Sequence, residues 1–218
     1  MPHAARVRYT TLEIGDMDIH IRMLRDVLQF DDSDGVAGTL GISSAAWPLF
    51  GVIWPSGEVL AHLMLDYQIK GKRVLEVGCG IALASLVLNR RAADITATDH
   101  HPAVRGFLDY NVGLNNGKII PFVRTGWGEP FHDKLGTFDL IIGSDLLYED
   151  AHVNLLAAFI NQHVRPCCEV VIVDPGRGFH AKFTSKMKSL GYSQSRKKPE
   201  NIDYLEKHFK GWILTYFK

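Results

Sequence analysis

The 218-residue chain has room for one domain plus an elaboration, and a chain of that length buries roughly 70% of its unfolded surface without covalent staples. With 46% hydrophobic and 22% charged residues it is not a disordered sequence. Basic and acidic residues number 24 each and cancel to zero net charge, which speaks against a protein that lives mainly on neutralising nucleic-acid phosphates.

Residues 1–16 carry Arg6, Arg8 and Glu13 without an apolar run, so no secretory leader is expected there. Short strands are expected at Arg6–Leu12 and Asp18–Arg22. Gly35 to Gly57 then runs without a charge, long enough by count to cross a bilayer. Its glycines, with Pro48 and Pro55, would leave backbone groups unsatisfied in lipid, so it predicts an ordered loop and no membrane anchor. Ser56 is placed to N-cap a helix from about Glu58, striped by Val59, Leu63 and Tyr67.

From Lys72 onward short β-branched runs alternate with helical periodicity. Arg73–Val77, Asp94–Thr98, Ile119–Val123, Phe138–Gly143 and Glu169–Val173 predict strands. Between them, Ile81–Leu88, the Val104, Phe107, Leu108, Val112 stripe and the Val153, Leu156, Ile160 face predict helices. Phe179, Phe183, Met187 and Leu190 stripe another, with Lys182, Lys186 and Lys188 outward. The alternation predicts an α/β, Rossmann-like doubly wound sheet, mostly parallel, with right-handed crossovers. Gly191–Ser195 and Gly211–Phe217 have no strong helix between them, which predicts a hairpin-like finish and an antiparallel C-terminal edge strand. Residues 1–70 read as an N-terminal elaboration on a domain of residues 71–218, the two forming one structural unit. Three cysteines, Cys79, Cys167 and Cys168, cannot build a disulfide framework, so a reducing, cytoplasmic setting is expected. His100 and His101 are adjacent and no Cys or His lies at a matching spacing, so no metal site is expected.

Glu76-Val77-Gly78-Cys79-Gly80 lies where a buried strand gives way to a helix. Two glycines there allow a sharp turn and close approach of a ligand, and the helix offers free N–H groups to a negative group. A dinucleotide fingerprint needs a small residue three positions after the second glycine, where this chain has Leu83. Glu76 is also awkward beside a pyrophosphate. S-adenosylmethionine fits better: it carries a carboxylate, an ammonium and a sulfonium, and no phosphate. Asp99 ends the second strand of the domain, 19 residues past Gly80, where a carboxylate can accept from both ribose hydroxyls.

These residues resemble the class I (seven-β-strand) S-adenosylmethionine-dependent methyltransferases, over most of the chain. Glu76-x-Gly78-x-Gly80 matches their first motif, with Ala82 where a third glycine is often found. Gly51-Val-Ile-Trp54-Pro-Ser-Gly57, Trp127-Gly128 and Ser144-Asp145-Leu146-Leu147-Tyr148 are similar to three patches of the protein-lysine methyltransferase subgroup, the last matching its Asp-x-x-Tyr motif. The resemblance implies that Trp54 folds over the cofactor as part of a lid in residues 1–70, and that Trp127 faces the adenine. It places Glu76, Gly78, Cys79, Gly80, Asp99 and Ser144 with them on the cofactor, and Asp145 and Tyr148 at the acceptor.

A lysine acceptor, with a free amine pKa of ~10.4, attacks only when neutral. A carboxylate beside it favours binding but raises that pKa, so Asp145 is expected to anchor the amine rather than to act as a strong base, with Tyr148 walling the channel. Asp174-Pro175-Gly176-Arg177 is a sharp turn on the same edge, and whether it meets substrate stays open. So does the role of Asn111. The expected activity is methyl transfer from S-adenosyl-L-methionine to a lysine of a protein, leaving S-adenosyl-L-homocysteine. A small-molecule amine acceptor and a non-catalytic cofactor-binding regulator stay open beside it. Without an Asn-Pro-Pro-Tyr-type motif or strong positive charge, a nucleic-acid substrate is disfavoured. Oligomeric state and degree of methylation are not legible.

Overall fold

The computed structural model describes residues 5–29, 32, 34–129 and 133–218, so residues 1–4 of the N-terminal elaboration lie outside the described residues. Strands β1 (Val7–Ile14) and β2 (Met17–Leu24) form an antiparallel hairpin, closed by a tight turn in which Gly15 takes φ +61°. The uncharged segment is ordered, holding α1 (Val36–Thr39) and a 3-10 turn at Trp47–Gly51. Helix α2 (Pro55–Leu63) starts earlier than the sequence suggests, because Pro55 is preset for the first helical position. Its N-cap is Trp54, with no side-chain cap. The expected Ser56 cap is therefore corrected: Ser56 lies inside the first turn, buried, its Oγ without a hydrogen-bond partner. Tyr67 lies beyond the helix end and donates its hydroxyl to Glu169 Oε1 at 2.6 Å.

The domain then alternates β3 (Arg73–Val77), α3 (Leu83–Arg90), β4 (Asp94–Asp99), α4 (Val104–Leu114), β5 (Phe122–Arg124) and β6 (Phe138–Ser144). It continues through α5 (Asp150–His163), β7 (Val164–Asp174), α6 (His180–Ser189), β8 (Ser193–Lys197) and β9 (Trp212–Phe217). The sheet order is β5-β4-β3-β6-β7-β9-β8, parallel from β5 to β7. The C-terminal hairpin closes that side, with β9 antiparallel to both β7 and β8. Strand β5 starts later than expected, since Pro121 has no N–H to donate to a ladder. Strand β7 starts earlier and carries Cys167 at φ +63°, near a register shift opposite Phe138 and Leu140.

Period-two alternation of the central strands feeds two apolar layers. Val74, Leu140, Ile142, Val171 and Val173 pack with residues of α2, α3 and α4. Leu75, Val77, Ile141, Val170 and Ile172 pack with residues of α5 and α6. Burying such side chains contributes about 1.5–3 kcal/mol each. The direction of winding reverses between β3 and β6, and that crevice at the carboxyl ends of the strands is the binding position of such folds.

Asn111 has a structural answer. Its Oδ1 accepts the Arg22 N–H at 2.7 Å and its Nδ2 donates to the Arg22 carbonyl at 3.1 Å. One helical turn on, Asn115 does the same for His20, at 2.9 and 2.7 Å. Four residues of helix rise about 6 Å and two residues of strand about 6.6–6.8 Å, so side-chain amides on α4 act as a ladder partner for β2. Asn111→Ala is expected to cost about 1–3 kcal/mol in denaturant unfolding and to speed hydrogen exchange at Arg22 before the central strands. Unchanged exchange at Arg22 would refute the ladder.

Candidate active site

The turn after β3 is built around missing side chains. Gly78 has φ +58°, and a Cβ there would lie 2.6 Å from Leu146 and 3.4 Å from the Trp127 ring. Gly80 has φ +51°, and a Cβ there would lie 2.9 Å from the Phe50 carbonyl oxygen. Both positions thus require glycine on conformation and on space. The 3-10 turn of the uncharged segment therefore roofs the glycine turn directly. Between the glycines, Cys79 is buried, its N–H bonded to the Thr98 carbonyl at 2.9 Å and its thiol pushed well up by burial. Ala82 takes φ +60° and opens α3.

Asp99 completes the turn. One carboxylate oxygen accepts the Gly80 N–H at 2.9 Å and the other the His101 N–H at 2.8 Å. Burial raises its pKa against these bonds. Two oxygens offer about four lone-pair sites, so capacity remains for ribose hydroxyls. His101 stacks on Phe50 at 4.1 Å between ring centroids, with Trp47 edge-on to it at 5.2 Å. Burial lowers its pKa to about 4, so the ring is neutral.

Glu76 is buried at the end of β3, and its Oε2 accepts the Ser85 N–H at 2.9 Å and the Ser85 hydroxyl. Ser85 is the third residue of α3, so Glu76 caps that helix from the preceding strand in place of an N-cap side chain. Burial pushes its pKa up to about 7, with Asp99 adding in the same direction.

On the other side of the crevice, Asp145 takes φ +54° and its N–H bonds the Val173 carbonyl at 3.0 Å. Leu146 then folds back onto Gly78 and Gly143. The Asp145 carboxylate is engaged by Arg177 through two bonds, Nε–Oδ1 2.7 Å and Nη2–Oδ2 2.9 Å. Arg177 lies between Gly176 and Gly178, both at φ +96°. Tyr148 is 43% exposed and meets His152 edge-on at 4.5 Å, while Trp127 meets the same imidazole at 5.1 Å. The Tyr148 phenol is pushed up to about 12, by desolvation and then by Asp99, Glu149 and Asp145. Ser144, half-buried, lies beside the first turn of α2, where a Cβ on Gly57 would stand 3.7 Å from its Oγ. Trp54 is half-buried, its indole N–H bonded to the Leu49 carbonyl at 2.9 Å, which ties the helix start to the 3-10 turn.

The residues on this edge fit the methyl donor. Asp99 keeps acceptor capacity beside the glycine turn, and the buried Ser56 Oγ at the start of α2 is unpartnered. Sequence reasoning did not single out His152, His180 or the pairing of Arg177 with Asp145. The glycines flanking Arg177 were the one signal for the last.

Glu76→Gln keeps an acceptor for Ser85 and removes the titration. With a native pKa raised to about 7 from 4.5, the folded state binds more protons than the unfolded one within that window, and this carboxyl's contribution to stability falls as pH rises. The Tm of the variant minus that of the parent should therefore climb between about pH 5 and about pH 8. A pH-independent difference would contradict the assignment.

A family of lysine methyltransferases matches residues 45–189. The electron transfer flavoprotein beta subunit lysine methyltransferase of Xenopus laevis is 30% identical over 142 residues, covering 63% of this chain and 55% of that protein. The calmodulin-lysine N-methyltransferase of Arabidopsis thaliana is 29% identical over 150 residues, covering 63% and 49%. The chain thus spans about half the length of the curated relatives it matches. In fold, it superposes with a TM-score of 0.68 and 14% identity on the Thermus thermophilus 16S rRNA N2 G1207 methyltransferase solved with AdoMet and guanosine, covering 100% of this chain and 52% of that one. The chain belongs to the lysine methyltransferase family, and its fold is that of the class I, seven-stranded methyltransferases.

Proposed function

We infer that the protein is an S-adenosylmethionine-dependent N-methyltransferase acting on a lysine side-chain amine of a protein. The observation that carries this reading is the convergence of the Gly78–Gly80 turn, Asp99 and the Asp145–Arg177 pair on the crevice between β3 and β6. The donor supplies a methyl group on a sulfonium, an electrophile that needs no further activation. Gly78, Cys79 and Gly80 bring main chain against it, Asp99 takes the ribose, and Trp127 offers the adenine an apolar face. Trp54, Glu76 and Ser144 complete the pocket, with residues 1–70 as its cover and 71–218 as the transferase body.

The acceptor side follows from charge. A lone carboxylate would hold the ammonium but stabilise it in the protonated, unreactive form. Arg177 offsets the Asp145 charge while leaving lone pairs on its oxygens, so the amine can be oriented without being locked as a cation. Tyr148, a neutral phenol, walls the approach. Orientation is most of what such an in-line displacement needs. Among the described residues no helix is long and apolar enough to cross a membrane, and all three cysteines are free. Free thiols favour a reducing, cytoplasmic setting.

Incubation with radiolabelled methyl donor and a cell lysate, followed by mass spectrometry of labelled bands, should map label to lysine. Label confined to small molecules, or donor binding without turnover, would overturn the reading. Asp145→Asn should lower kcat on the labelled band by about 10²-fold while leaving calorimetric binding of S-adenosylhomocysteine unchanged.

A further inference from the structure

The acceptor ammonium must lose a proton before its nitrogen can attack, and the Asp145–Arg177 pair is poorly suited to take it. We propose that His180 takes that proton, with Asp174 as the positioning residue that holds its imidazole. The proposal rests on the amine-acceptor reading above.

Asp174 ends β7. The register pairs Ser144 with Val173, so Asp145 and Asp174 stand at neighbouring strand ends on the acceptor side of the crevice. Asp174 is 1% exposed, which is unusual for a carboxylate. Its Oδ1 accepts the Gly176 N–H at 2.8 Å, and its Oδ2 is buried with no hydrogen-bond partner. A buried oxygen left unsatisfied is costly and calls for a reason beyond folding. Burial raises the pKa of this carboxyl.

His180 supplies a reason. It is the first residue of α6, and its Nδ1, itself buried and unbonded, lies 3.8 Å from Asp174 Oδ1. That distance is too long for a hydrogen bond, as catalytic contacts often are before substrate is bound. The side chain is 24% exposed, and with Nδ1 buried the open edge of the ring carries Nε2. Asp174 therefore favours the tautomer with the proton on Nδ1, which leaves Nε2 as the acceptor.

The other titratable and charged groups around the pair are Asp145 after β6, Arg177 on the loop before α6, and Tyr216 on β9. Two residues along α6, Lys182 pairs with Asp150 of α5. In the step, an N–H bond of the acceptor ammonium breaks and its electron pair stays on nitrogen as the attacking lone pair. The proton forms a new N–H bond at His180 Nε2, and the ring then releases it to water at its exposed edge.

The test is the pH profile of kcat on the lysate band labelled by the parent enzyme, with saturating radiolabelled donor. His180→Gln should lower kcat about 10²-fold near neutral pH and abolish the limb that the parent shows as the imidazole deprotonates. Binding of S-adenosylhomocysteine and Tm should stay close to parental values. Asp174→Asn should keep the limb but move it to lower pH, because the imidazolium loses its partner, and Asp174→Glu should restore part of the rate. A His180→Gln enzyme that keeps the parental limb, or loses rate equally at every pH, overturns the proposal. If instead the parent labels no amine, the underlying reading falls and takes this proposal with it. A parent that labels lysine while His180→Gln matches it sinks the proposal alone.

Discussion

The end of β3 is where one main-chain segment and the side chains of Leu146 and Trp127 occupy space that Cβ atoms would fill. Leu146 presses on Gly78 from the loop after β6, and the Phe50 carbonyl presses on Gly80 from the 3-10 turn above. Because both glycines take positive φ, the chain can reverse sharply at the end of the strand. Everything else at the site is arranged relative to this turn. Leu146 reaches Gly78 only because Asp145 adopts a left-handed backbone, a conformation that short polar residues tolerate better than most. The αL residue that holds the apolar wedge in place thus also carries the carboxylate.

Four carboxylates crowd this edge, and each is stabilised differently. Glu76 caps α3, Asp99 ties the glycine turn to the start of the following loop, Asp145 is matched by Arg177, and Asp174 keeps one oxygen bare. The first two are held up in pKa by burial, against hydrogen bonds that pull the other way. Such crowding is costly for folding alone, and perturbed groups in a cleft mark sites of chemistry more often than sites of stability. Neutral rings and phenols, among them His101 and Tyr148, fill the space between the carboxylates without adding charge.

The alternation of apolar runs was enough to read the parallel sheet and its two helical layers, because β3, β6 and β7 bury both faces and helices have to follow. The glycine pair and Asp99 were legible too, since a turn whose Cβ positions are taken by Leu146 and the Phe50 carbonyl leaves a residue-type imprint. Boundaries were less so. Pro55 started a helix earlier than Ser56 suggested, and Pro121 delayed β5, in both cases because proline's ring and missing N–H override the apolar stripe. The Glu76–Ser85 cap, the Asn111 ladder and the Asp174–His180 approach were beyond a sequence reading. They join residues 9, 89 and 6 positions apart whose meeting depends on strand ends and helix axes fixed only by the folded sheet.

The N-terminal hairpin, which could be taken for an ornament, is tied into the site by packing. Leu24 at the end of β2 fills the space a Cβ would take on Gly51, so the hairpin bears directly on the 3-10 turn. That turn contains Phe50, whose carbonyl covers Gly80 and whose ring stacks on His101 beside Asp99. The main chain of β2 is clamped to α4 through Asn111 and Asn115. Phe107 of the same helix receives Phe50 edge-on at 5.3 Å. The roof over the glycine turn is therefore held from two sides, by a strand end and by a helix face. Loosening either would shift the Phe50 carbonyl before it disturbed the central strands, because the roof has no sheet hydrogen bonds of its own to resist the change. The distance from Phe50 to Gly80 is thus set by elements outside the seven-stranded sheet, which gives the first 70 residues a physical part in shaping the pocket.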